Sequence, residues 1–164
     1  MLKDKRSGKI ALVAHCILNQ NSRVLGLAER SSVIAEIVEF LMHHEIGIIQ
    51  MPCPELSYAG LLRESQTKEQ YNNVKFRKHC RKTAEDLANQ VQEYEKYGIK
   101  LKLVIGVTGS PSCGINETSK AKDSGILIQE LRFALNQRRI SVPFYGIHYK
   151  CLEDDVAKLE KYVE

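Results

Sequence analysis

The stretch LKLVIGVTGSPSCG, residues 101–114, decides the fold. Its first half, residues 101–107, is a short apolar run rich in β-branched side chains, continuous rather than alternating, as expected of a strand buried on both faces. Its second half is turn chemistry, with Gly109, Pro111 and Gly114 closing off any continuation. Three similar runs occupy residues 10–14, 46–51 and 142–147. Between them lie helical spacings: Val33, Ile34, Ile37, Val38, Leu41 and Met42, then Phe76, Cys80, Ala84, Leu87, Val91 and Tyr94. Leu127, Leu131 and Leu135 mark a third helix face, and Leu152, Val156 and Leu159 a fourth. Parallel strands need helical crossovers, so the alternation βαβαβαβα predicts an α/β fold. The expected form is a single doubly wound, Rossmann/flavodoxin-like, mainly parallel sheet with helices on both faces. Neither repeat, low-complexity tract nor linker interrupts residues 1–164, so a single α/β domain is expected.

The 164 residues are 43% hydrophobic, and a chain of this length buries roughly 70% of its unfolded surface, so no staples are needed. Lys and Arg number 24 against 20 Asp and Glu, and a net charge of +4 is too small to argue for nucleic acid. No run approaches the ~20 apolar residues of a membrane span. The first ten residues pass from charges straight into an apolar run, without the h-region of a secretory signal. Five cysteines, an odd number in a core-forming chain, argue against a secreted disulfide scaffold. A reducing cytoplasm is the expected compartment.

The connections after strands one, two and three are long, residues 16–30, 53–67 and 113–123, against a median of about 4–6 for such links. In open α/β sheets, ligands bind beyond the carboxyl ends of the strands, and all three long loops fall there. Each reaches a cysteine: AHC at 14–16, MPCPE at 51–55 and GSPSCG at 109–114. Parallel neighbouring strands would bring Cys16, Cys53 and Cys113 to one crest. Three thiolates are one short of the four that close a structural zinc or iron–sulfur site, so a bound metal would keep an open position. Soft thiolates favour zinc or iron–sulfur over magnesium or calcium. Pro52, Pro54 and Pro111 stiffen the turns, and Gly109 and Gly114 let the backbone pass close to a bulky centre. Cys80 falls on an apolar helix face and is expected in the core. Cys151, just past the fourth strand, could reach the crest as a fourth ligand.

The segments CILNQNSR (16–23), CPE (53–55) and SPSCG (110–114), in this order on a small α/β chain, resemble the TudS-like desulfidase family. The resemblance implies a [4Fe-4S] cluster held by three cysteines, matched here by Cys16, Cys53 and Cys113. It also implies that the fourth iron takes sulfur from a thiolated small molecule such as 2-thiouracil, giving the oxo product and hydrogen sulfide. Where the family runs C-L-L-G-x-x-C-R-Y-D-G, this chain has Asn19, Ser22, Val24 and Leu25 in place of Gly, Cys, Tyr and Asp. Gly106-Val-Thr-Gly109 replaces the usual basic residues before SPSCG, which marks a divergent branch.

The chemistry also needs a base for the water that displaces sulfur, and Glu55, two residues after Cys53, is the candidate. Ser110, as a catalytic donor, and Ser112, as a substrate contact, could hydrogen-bond sulfide or substrate. Arg23, and after it Arg63, could steer an anionic substrate. His15 and His148 stand at strand ends as candidate proton shuttles or ligands. His43 and His44 end a helix as partners of its dipole.

Residues 106–112 lack the Lys-Ser/Thr of a Walker loop, and no cysteine has the closely following Arg of a thiol phosphatase. Flavodoxin-like FMN binding rests on topology alone. Two alternatives to the desulfidase stay open at this point. One is a non-catalytic iron–sulfur protein for sulfur or electron transfer or sensing, with Cys151 closing the site. The other is a mononuclear zinc enzyme on the same cysteines. A small thiolated molecule is the expected partner, without nucleic acid or membrane, in a monomer or homodimer.

Overall fold

The structure, a computed structural model, describes residues 3–116, 118 and 123–164. In chain order the elements are β1 Lys9–Ala14, α1 His15–Leu18, a 3-10 turn Gln20–Ser22, α2 Ala35–His43, β2 Gly47–Met51 and α3 Pro54–Ala59. Then come α4 Lys68–Tyr71, α5 Val74–Lys96, β3 Lys100–Val107, α6 Ile126–Gln137, β4 Phe144–Ile147 and α7 Leu152–Val163. The four strands and four long helices match the sequence reading to within about two residues at nearly every strand end.

All strand pairs are parallel, in the order β2-β1-β3-β4. The chain steps outward from β1 to β2, returns through α5 to β3 on the other side of β1, and continues to β4. Strand order therefore reverses between β1 and β3, the point where such sheets bind ligands. Helix α5 packs along α6, and α2 packs against α7, giving helices on both faces of the sheet.

Helix α5 starts where the Asn73 side chain accepts from the Phe76 amide at 2.9 Å. It buries Phe76, Cys80, Ala84, Leu87 and Val91, the apolar spacing read from sequence. It stops at Tyr97, followed by Gly98 at φ +83°. Burial on both faces holds for β1 and for most of β3, but not for β2. There Gly47, Ile48 and Gln50 are exposed, because β2 is an edge strand with one neighbour. Met42 also faces solvent, and Phe40 takes the buried place expected of it.

Candidate functional site

The turn carrying Cys113 is folded back onto its own strand. The Val107 amide donates to the Cys113 carbonyl at 3.1 Å, and Ser110 Oγ accepts from the amides of Ser112 (3.3 Å) and Cys113 (3.1 Å). Ser110 Oγ is also hydrogen-bonded to Cys113 Sγ at 3.2 Å. The carbonyls of Pro111 and Ser112 accept from Ile126 and Ile128, so the turn satisfies orphan donors of the first turn of α6. This fit needs two glycines. A methyl group at Gly106 would stand 2.1 Å from the Cys113 carbonyl oxygen, and one at Gly125 would stand 2.4 Å from Ser112. Gly109 is required by its φ of +88°, not by a close approach to a guest, since a methyl group there meets nothing within 4 Å.

Cys53 caps α3, its Sγ accepting from the Leu56 amide at 3.4 Å, with Pro54 at the first helical position. Glu55 follows, buried at 8% exposure, and its Oε2 accepts from the Ser112 hydroxyl at 2.5 Å. The loop of Cys53 is thereby joined to the loop of Cys113. Ser112 is itself 1% exposed, so its hydroxyl is committed to Glu55.

Cys16 sits in α1, directly after β1. The Tyr149 hydroxyl donates to its Sγ at 3.5 Å, and the Arg23 guanidinium lies over the Tyr149 ring, 4.4 Å from its centroid. Buried Gln20 donates to the Cys16 carbonyl (2.6 Å) and to Tyr149 Oη (3.2 Å), and accepts from the Glu29 and Arg30 amides. One side chain thus folds the loop over the sulfur.

These loops enclose a cavity of about 290 Å³ lined by Cys16, Cys53 and Cys113 together with Glu55, Ser110 and Ser112. Arg23, Arg63, Tyr149 and Gln66 add to its polar wall, and Val24, Leu27, Pro52 and Leu127 supply apolar surface. Its volume stands at the lower end of small-molecule sites, roughly 300–1,000 Å³. All five cysteines are free thiols. Cys16 and Cys113 are hydrogen-bonded to each other, which holds the Cys16 thiol below its usual range, helped against burial by Tyr149 and the charge of Arg23. As the other half of that pair, and through burial, the Cys113 thiol is raised well above the usual value. Burial pushes Cys53 up to about 11.

Cys80 is buried within the core on α5, its thiol pushed up to about 12 by burial. Cys151 is exposed at the start of α7 and does not line the cavity. His148 also lies outside it, held by Asp155, whose Oδ2 accepts from the His148 amide at 2.6 Å. His15 is on the cavity wall, with Nδ1 2.7 Å from Gln50 Nε2. At the far end of α2, His44 contacts the Phe40 carbonyl and Glu160. Sequence reasoning missed Tyr149 and Gln66, which carry no motif and reach the site only through the fold, and gave no role to Gln20 inside CILNQNSR.

Among the described residues, no group of three or more His, Cys, Asp and Glu could hold a metal ion. A four-iron cluster distributes its ligands over separate metal atoms. Three soft thiols from three loops around one cavity fit that donor set.

Fold and site together define a class: a parallel α/β protein with a thiol-lined cavity at the switch point of its sheet. Residues 8–140 match the family described as "Putative 2-thiouracil desulfurase", and the chain belongs to this family. An uncharacterized protein of Methanocaldococcus jannaschii is 39% identical over 163 residues, covering 99% of this chain and 97% of its own. No solved structure matches the chain. Among the described residues, no helix is long and apolar enough to cross a membrane.

Proposed function

We propose that this chain is an iron–sulfur-dependent desulfurase that hydrolyses a thiocarbonyl in a small molecule, with Cys16, Cys53 and Cys113 holding a [4Fe-4S] cluster. The observation that carries the reading is the convergence of these three thiols on one cavity beside the buried carboxylate of Glu55. When bound, the cluster supplies an iron without a protein ligand, a Lewis acid suited to sulfur. In the net reaction water adds to the thiocarbonyl carbon, oxygen replaces sulfur, and hydrogen sulfide leaves with both protons of the water, without change in electron count.

The chain's own residues serve that exchange. Ser112 occupies Glu55 Oε2, which leaves Oε1 to take a proton from water. Ser110 holds the turn that presents Cys113. Arg23, spread on the Tyr149 ring, offers guanidinium donors to a carbonyl or anionic edge of the substrate. The apolar wall excludes bulk water and suits a flat heterocycle such as a thiolated nucleobase. A reducing compartment, the cytoplasm, keeps the thiols ready. The non-catalytic alternative required Cys151 as a fourth ligand, and its exposed position gives that reading no support.

Anaerobic reconstitution followed by iron and sulfide analysis tests the proposal, with about four of each per chain expected for one cubane cluster. Hydrogen sulfide release from 2-thiouracil and other thiolated bases is then measured. Protein that binds no iron, or binds it and releases no sulfide from any of them, overturns the reading.

A further inference from the structure

Arg63 is a buried charge on the cavity wall. It comes from the loop after α3, where sequence alone offered it as a guide for an anionic substrate. Its side chain is instead 5% exposed, although it lines the cavity. One terminal nitrogen donates to the Gly60 carbonyl at 3.1 Å in its own loop. The other donates to the Ser22 carbonyl at 2.9 Å, across the cavity in the loop of Cys16. Its Nε faces Glu55 Oε1 at 3.8 Å and, fully buried, has no hydrogen-bond partner among the described residues. A buried guanidinium is costly unless paired and hydrogen-bonded, and an orphaned donor beside a cavity calls for an explanation.

The three contacts explain it jointly. Glu55 joins the Cys53 loop to the Cys113 loop through Ser112, and Arg63 joins the Cys53 loop to the Cys16 loop through Ser22. Glu55 and Arg63 face each other, so the two links form one strut across all three cysteine-bearing loops. A guanidinium pinned at both terminal nitrogens cannot swing out to a substrate, and its Nε faces, at 3.8 Å, the one Glu55 oxygen that Ser112 leaves free.

We propose that Arg63 is the positioning residue of this site: it holds the cysteine loops in register and aims Glu55 Oε1, and it does not bind substrate. The loop-holding part stands on the contacts alone, and the aiming of Glu55 rests on the desulfurase reading. Lysine keeps the charge but cannot reach two carbonyls and a carboxylate from one ammonium.

Thiol labelling of the metal-free protein tests the first part without any turnover. Local opening of the loops sets the labelling rate. Arg63→Gln is expected to accelerate labelling of Cys16 and Cys53 by at least about tenfold, as loss of charged hydrogen bonds predicts, with Cys80 unchanged. Arg63→Lys should fall between Arg63→Gln and the wild type. Wild-type labelling rates in Arg63→Gln overturn the strut, and so does equal acceleration at Cys80, which would make Arg63 a prop of the whole fold. Sulfide release supplies the second readout, with kcat expected to drop by about tenfold or more and KM to stay within about threefold. A raised KM at unchanged kcat would place Arg63 on the substrate and overturn the proposal. Failure of the wild type to release sulfide would end the desulfurase reading while leaving the labelling result to decide the strut.

Discussion

Strands β3 and β4 lie side by side in register, Val104 to Val107 against Phe144 to Ile147, and each is followed within a few residues by a cysteine. Their ends nevertheless do opposite things. Past β3 the chain folds back, hands its carbonyls to α6 and turns Cys113 into the cavity. Past β4 it runs directly into α7, whose start leaves Cys151 in solvent. What β4 delivers to the site is Tyr149, a hydroxyl on the sulfur of Cys16. A cysteine at a strand end is therefore a candidate only, and the turn that follows decides whether it reaches the cavity.

The largest effect should come from the cysteines themselves. Cys113→Ala is expected to abolish iron retention and sulfide release, whereas Cys151→Ala leaves both at wild-type level. Anaerobic metal analysis of the two proteins reads the difference, and iron lost from Cys151→Ala would erase the contrast. Next in size is a pair of glycines that face each other in the register, Gly106 and Gly146. A methyl group at Gly106 meets backbone at 2.1 Å, whereas one at Gly146 meets the Thr108 hydroxyl at 2.7 Å, which can turn away, and Ile115 Cβ at 3.1 Å, which must give by a few tenths of an ångström. Gly106→Ala should cost about 3 kcal/mol and Gly146→Ala about 1. In melting temperature this is a drop of roughly 6–12 °C against roughly 2–4 °C. Equal drops would show that the Cys113 turn is not pinned by β3. The smallest effect belongs to Tyr149→Phe, which removes one long hydrogen bond to sulfur and the oxygen that accepts from Gln20 at 3.2 Å. Loss of about 1 kcal/mol would slow sulfide release a few-fold with iron content unchanged.

Much of this was readable in advance, for definite reasons. Strand and helix periods depend on neighbours in sequence, so residues such as Val104 and Leu87 announce their elements locally. The meeting of Cys16, Cys53 and Cys113 was legible because parallel order forces the ends of β1, β2 and β3 to one edge of the sheet. Exposure of Ile48 on β2 was not, since a continuous apolar run looks alike in a central and an edge strand. Gly106 and Gly125 gave no signal, because the backbone they admit comes from a distant turn. The burial of Arg63 was hidden for a related reason: sequence shows a charge in a loop, and only the fold shows the two carbonyls that hold it.

The strand order has a consequence in time. Cys16 and Cys53 are synthesised 37 residues apart and Cys113 only 60 residues later, while β1 has a permanent neighbour on its second side only once β3 arrives. Until then one edge of β1 is open, and the two earlier thiols lack the turn that completes their cavity. Long-range parallel pairing is slow to form. The newborn chain therefore passes through a stage in which Cys16 and Cys53 are made but unsheltered, so whatever guards them must act before β3 docks, and the cavity they share with Cys113 exists only afterwards.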